Sequence, residues 1–199
     1  MGLWRSRRSA AIVAAPSVGV MTEQPDPISP DTKDWTWTLR RPCPDCGFDA
    51  AAVADTDIAG LTRSSTAPWS TVLQRPDATQ RPAPDVWSAL EYACHVRDVC
   101  RVFDGRLGLM LEQDAPRFAN WDQDATAVAE RYGEQDPAVV ASELEDAAAG
   151  VAVRFEGVRD DQWARTGLRS DGSEFTVLTL GQYFLHDLAH HLVDVRAAG

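Results

Sequence analysis

The stretch HDLAHHLVDV, residues 186–195, carries three of the chain's four histidines together with two aspartates. Imidazole and carboxylate are the side chains that bind divalent cations and move protons near neutral pH. On a helix, residues four apart share a face, so two pairs could each offer two ligands to one ion. One is His186 with His190; the other is Asp187 with His191. At about 100° per residue, Leu180, Phe184, Leu188, Leu192 and Val195 gather on one side. Asp187 and His191 lie at the edge of that apolar side, and His186 and His190 fall near the opposite one. The pattern predicts that Asp187 and His191 face inward and that His186 and His190 face solvent. A carboxylate and an imidazole carried into a core cost free energy unless each other, a wet cleft or a metal satisfies them. A third ligand must come from another helix, and the remaining histidine is His95, inside WSALEYACHV. Taken singly, His95 reads as a satisfied core residue; taken together, His95, Asp187 and His191 form a candidate metal site.

CPDCG, residues 43–47, has the shape of half a zinc site, with a glycine that permits a tight turn around an ion. A closed site needs four ligands, and there is no second C-x-x-C; Cys94 and Cys100 are six apart inside a predicted helix. A redox pair would follow a strand, and no βαβ pattern surrounds this one. The motif reads first as a structural turn, with Cys43 and Cys46 close together and away from the histidine site. Its place ahead of a helix would favour a lowered pKa at Cys46. Cys94, beside His95, reads as core packing. Asp194 is three residues from His191 and four from His190, a spacing that suits fixing an imidazole tautomer. Its plainer reading, a solvated helix-end acid, is preferred. Arg97, Arg101, Arg165 and Arg169 could hold an acidic cosubstrate, though most should be surface residues.

These residues need elements to hold them. Asp49 could cap a first helix running through AAAVADTDIAGLTRSST, with a break at Pro68. Asp85 is a candidate N-cap for VWSALEYACHVRDVCRVFDGRLGLMLEQ, apolar nearly all round, as in a helix buried on several sides. A loop with a short helical turn occupies 114–135. Asp136 and Pro137 open a third helix through AVVASELEDAAAGVAVRFEGV. RSDGS marks the turn of a small hairpin, and a last helix runs from about Leu178 to Arg196. The chain of 199 residues is one domain's worth. The expected architecture is all-α, a four-helix bundle of up-and-down type with a crossover loop. Residues 1–42 form a largely irregular arm and 43–199 the bundle domain. Arginines and a short apolar stretch near the N-terminus mimic a signal peptide, but Pro16 interrupts them and no convincing cleavage site follows. A disordered leader on a cytoplasmic protein is the preferred reading. No apolar run reaches the roughly 20 residues that span a bilayer. With 30 acidic against 19 basic residues, the net charge of −11 disfavours nucleic acid and anionic membrane as partners.

WSALEYACHV followed by HDLAHHLVDV resembles the DinB-like superfamily of metal-binding four-helix bundles. That superfamily includes the YfiT-type proteins, thiol S-transferases and mycothiol-dependent maleylpyruvate isomerases. The resemblance covers roughly residues 48–196. Trp87, Glu91 and His95 match the family's second-helix element. His191-Leu192-Val193-Asp194 matches the end of its last-helix element, which puts the ligand four residues earlier at Asp187. Aspartate there departs from the usual Glu or His. The rival register, His186 with His190, would give a three-histidine site with His95. The resemblance implies a divalent ion, Zn or Ni first. It also implies a low-molecular-weight thiol of mycothiol type as cosubstrate, S-transfer to a small-molecule electrophile, and a bundle that could pair as a homodimer. The alternatives are metal-dependent isomerisation or hydrolysis, or a non-catalytic metal-carrying stress or binding module.

Overall fold

The computed structural model describes residue 28 and residues 33–197. The expectations for the leader and the first part of the arm lie outside the described residues. Six helices form: α1 (Ile58–Thr66), α2 (Trp69–Val72), α3 (Ala89–Glu112), α4 (Gln123–Ala129), α5 (Pro137–Glu156) and α6 (Val177–Ala197). α1, α3, α5 and α6 make a four-helix bundle. α3 packs on α5 and α6, and α1 packs on the same two, so α1 and α3 lie across one diagonal. α5 and α6 lie across the other. The long connections 67–88 and 157–176 make those crossings.

The helix starts follow local chemistry. Asp136 accepts from the amides of Ala138 and Val139, and Pro137 occupies the first helical position. α3 begins three residues later than the Asp85 cap would set it. Ser88 and Glu91 form a capping box, which satisfies two amide donors reciprocally and outcompetes a single aspartate. Glu91 also pairs with Arg81, so this part of the family motif anchors the helix rather than reaching the candidate ligands. α1 starts at Ile58, not near Asp49, which makes no side-chain cap. Residues 50–57 instead form two 3₁₀ turns, where Asp55 bonds the amide of Thr56 in competition with the helix.

The core fills between these helices. Phe184 of α6 lies between Phe103 of α3 and Phe155 of α5, at ring separations of 5.2 and 6.1 Å. Leu180, Leu185 and Leu188 are fully buried beside it, each contributing about 1.5–3 kcal/mol. α3 is buried almost continuously from Ala89 to Cys100, because the 132–134 turn and α4 cover the sides that α5 and α6 leave. A small sheet, β1 (Arg117–Phe118), β2 (Thr166–Arg169) and β3 (Glu174–Thr176), closes one end. β1 runs parallel to β2, and β2 and β3 form the hairpin about the RSDGS turn, where Gly172 takes φ +94°. The arm is not idle. Residues Trp35–Leu39 form a 3₁₀ turn, capped by Asp34, that packs against α6.

Candidate metal centre

α3 and α6 cross with His95 facing Asp187 and His191. Nε2 of His95 lies 3.4 Å from Oδ1 of Asp187, and Nε2 of His191 lies 3.8 Å from the same oxygen. A tetrahedral ion with bonds of about 2.0–2.2 Å separates its donors by roughly 3.3–3.6 Å. All three donors lie within 4.8 Å of one another. His95 is 0% exposed, yet neither of its ring nitrogens has a hydrogen-bond partner among the described residues. Oδ1 of Asp187 is buried and equally unbonded. Buried polar atoms left in that state are costly, and a cation would satisfy Nε2 of His95 and Oδ1 of Asp187 together. The residues fit a divalent ion on that count.

The surroundings hold the donors in place. Trp121 stacks on His95 at 5.4 Å and Trp87 tilts against it at 5.5 Å. The rings of His95 and His191 meet edge to face at 4.7 Å. Asp194, read above as a solvated acid, instead contacts Nδ1 of His191 at 2.9 Å. With Nδ1 donating to that carboxylate, the lone pair of Nε2 is left for the centre. Burial pushes His95 below the usual imidazole range, against the pull of Asp187. Burial would raise the Asp187 carboxyl, but His95 and His191 outweigh it and hold it at about 2. A neutral imidazole and an ionised carboxylate are the forms a cation requires.

Two cavities open on Asp187. The first, about 340 Å³, is lined by Trp87, Tyr92, His191 and the acids Asp45, Asp85, Asp124 and Asp194. The second, about 620 Å³, is lined by Arg106, Arg169, Trp121 and Phe103 among others. Tyr183 and Trp35 border both. Of the four arginines suggested by the sequence, Arg169 reaches a cavity. Arg97 and Arg101 pair with Asp98 and Glu143, and Arg165 binds the carbonyls of Met110 and Gln113. Arg106 was missed, although the all-round apolar pattern of its helix implies that it too lies inside. It is 7% exposed and donates to the carbonyl of Ala119 at 3.1 Å. No carboxylate pairs with it among the described residues, whereas Arg169 pairs with Asp171 at 2.8 Å. Burial, then Arg169, lower it to about 10, which leaves it charged at neutral pH.

The outward pair is not outward. His186 is 4% exposed and His190 half-buried, because Trp35 of the arm lies over both rings at 5.6 and 5.2 Å. A helical wheel counts only the bundle as a partner, and here the arm supplies a second one. Beneath Trp35, Cys43 approaches Nδ1 of His190 at 3.7 Å. The thiol of Cys46 is not lowered. Burial, with Cys43 adjoining, pushes it up to about 11.

The DinB superfamily model matches residues 60–194, more than half the chain. YfiT from Bacillus subtilis, described as "a probable metal-dependent hydrolase with an unusual four-helix bundle topology", superposes with a TM-score of 0.66 at 15% identity. The superposition covers 74% of this chain and 88% of that one, and at this identity it speaks for the fold. No curated protein sequence matches the chain.

Proposed function

The chain belongs to the DinB superfamily, and on that footing we propose that it is a metal-dependent enzyme transferring a low-molecular-weight thiol to an electrophile. The observation that carries the reading is the convergence of His95, Asp187 and His191 where two cavities meet, with buried atoms of His95 and Asp187 left unbonded among the described residues. Three protein donors leave coordination open, as catalytic rather than structural sites do. A divalent ion there, Zn or Ni first, supplies Lewis acidity that lowers the pKa of a thiol or water reaching it. The chain's own groups do the rest. Asp194 fixes the tautomer of His191, and Trp87 and Trp121 hold His95 and keep water from its ring. Arg106, with most of its donors unused, receives an anionic group of one reactant in the second cavity, beside Arg169, which is already paired with Asp171. The first cavity is left for the other reactant.

Hydrolysis is the second reading, and the acid-lined first cavity favours it, since five carboxylates against the single Lys33 repel a thiolate but not water. One assay separates the two. The Zn- or Ni-loaded protein is given an activated aryl halide, with and without a mycothiol-type thiol, and products are resolved by mass spectrometry. Thiol-dependent adduct formation that is lost in His95→Ala supports transfer. Product formed equally without thiol overturns transfer in favour of hydrolysis.

A further inference from the structure

The second cluster on α6 lies on its other side. Cys43, Cys46, His186 and His190 each present a donor atom, and all four donors lie within 4.8 Å of one another. Cysteine and histidine in a two-and-two set are a zinc ligand set, closed at four. A zinc ion with bonds of about 2.3 Å to sulfur and 2.0–2.1 Å to nitrogen would place a sulfur and a nitrogen roughly 3.6 Å apart. Cys43 Sγ and His190 Nδ1 are 3.7 Å apart.

Local structure is arranged for it. The amide of Gly47 donates to the carbonyl of Cys43 at 2.8 Å, and the amide of Cys43 donates to the carbonyl of Phe48 at 2.9 Å. These bonds fold CPDCG into a knuckle that turns both sulfurs to one side. Gly47 has φ +73°, a conformation that glycine adopts without strain. Both cysteines are free thiols, and Cys43 is almost wholly buried. Nε2 of His186 is buried with no hydrogen-bond partner among the described residues, so a second observation besides the cysteines marks a missing ligand. The i, i+4 spacing of His186 and His190 supplies the half-site that a second C-x-x-C would otherwise provide.

We propose that Cys43, Cys46, His186 and His190 bind a structural zinc ion that fastens the N-terminal arm to α6. The site is distinct from the one at His95, Asp187 and His191 and does not depend on the activity proposed for it. It consumes all four coordination positions, so it does no chemistry of its own. Its effect is architectural: the fastened arm brings Lys33, Trp35 and Asp45 to the wall of the first cavity. The two sites alternate along α6, residue against residue, and share Asp194. That carboxylate lies 2.9 Å from Nδ1 of His191 and 3.9 Å from Nε2 of His190.

Cobalt substitution of the full chain tests this without any variant. Cobalt bound by two thiolates gives a near-ultraviolet sulfur-to-metal charge-transfer band and intense tetrahedral bands in the visible. The expected result is that band in the native sequence, kept in His95→Ala/His191→Ala and lost in Cys43→Ala/Cys46→Ala. Zinc content by mass spectrometry should fall by one ion per chain in the cysteine variant, and circular dichroism reports whether that variant stays folded. No charge-transfer band in the native protein, with Cys43 and Cys46 still titrating as accessible thiols or found as a disulfide, would overturn the proposal. A band that persists without Cys43 and Cys46 would overturn it equally, by assigning the sulfur ligand to Cys94 or Cys100. A failure of the His95 centre would leave this band in place, so the two readings fail separately.

Discussion

Each imidazole at the inner centre has a different supporting contact, and that sets what its loss should do. In the proposed centre His191 is both donor and oriented group, and His95 is a donor held by one stacked and one tilted indole. His191→Ala should remove most of the ion from this centre, and His95→Ala likewise, because each loses a whole ligand from an incomplete shell. Asp194→Ala keeps all three donors but frees the His191 ring, and affinity should fall by about 10–100-fold. Isothermal titration of the metal-free protein measures both, and equal losses for Asp194→Ala and His191→Ala would deny the orienting role. A His186→Ala variant, harmless if that side chain faced solvent, should instead lose the arm's ion and leave the inner one. In the proposed function Arg106 serves the substrate rather than the metal. Arg106→Gln should raise KM for an anionic substrate by roughly 10- to 100-fold, the size of a lost charge-assisted hydrogen bond, with kcat little changed. A change confined to kcat would remove Arg106 from the binding role.

The elements that carry these residues are locked to each other by buried polar contacts as well as by apolar packing. Asp98, one turn beyond His95, accepts from Arg97 at 2.9 and 3.1 Å, from Tyr132 at 2.6 Å and from Arg101 at 3.1 Å. This network ties α3 to the turn before α5, and Asp98→Ala should cost about 1–3 kcal/mol by leaving the buried Tyr132 hydroxyl without its acceptor, while Arg97 keeps Glu143 and Gln135. Burial would raise the Asp98 pKa, but Arg97 and Tyr132 outweigh it and hold the folded value below 3.8. Its contribution is therefore complete above the unfolded value and is lost as pH falls through the folded one. Denaturant titrations should show a steeper loss of stability below about pH 4 in the native sequence than in Asp98→Asn. Gly181 marks another close approach: a Cβ there would stand 2.7 Å from Ile58 Cδ1 and 3.1 Å from Phe155. Gly181→Ala should cost about 1–3 kcal/mol through overpacking between α1, α5 and α6, read as a lower midpoint at unchanged m-value. Much of this layer was legible in the sequence where one local signal sufficed. Asp136-Pro137 set the start of α5, RSDGS set the hairpin, and periodicity set α6. The capping box at Ser88 and Glu91 was equally legible but was passed over for Asp85. Spacing put Asp187 and His191 at the border of a strong apolar stripe, and His95, the remaining histidine, faces them in the structure. What the spacing could not reveal was the arm. Whether His186 and His190 see solvent depends on Trp35, more than 150 residues earlier, folding across α6, a contact with no periodic signature in either segment.

At the scale of the molecule, the proposed arrangement sets one guanidinium that no described carboxylate pairs, Arg106, inside a strongly negative body, where Arg169 is paired with Asp171 and five aspartates share the cavity lining. The net charge is −11, while Arg106 and Arg169 line the second cavity. An anionic substrate meets repulsion from the surface before it meets those guanidinium groups. The two effects differ in range and in their sensitivity to salt. The surface field extends over a Debye length, about 30 Å at 0.01 M salt and about 8 Å at 0.15 M. Arg106 is buried and its interaction with a bound anion is screened much less. Added salt should therefore relieve the repulsion that slows entry more than it weakens the contact that holds the substrate. The expected outcome is a rise in kcat/KM for an anionic substrate between 0.01 and 0.15 M salt, and no such rise for a neutral analogue. In Arg106→Gln the slope with salt should persist while the absolute value falls, because entry and retention are governed by different groups. A fall in kcat/KM with salt for the native sequence would mean that the arginines, not the net charge, control approach. The cavity mouth would then have to be treated as a positive funnel within an acidic surface.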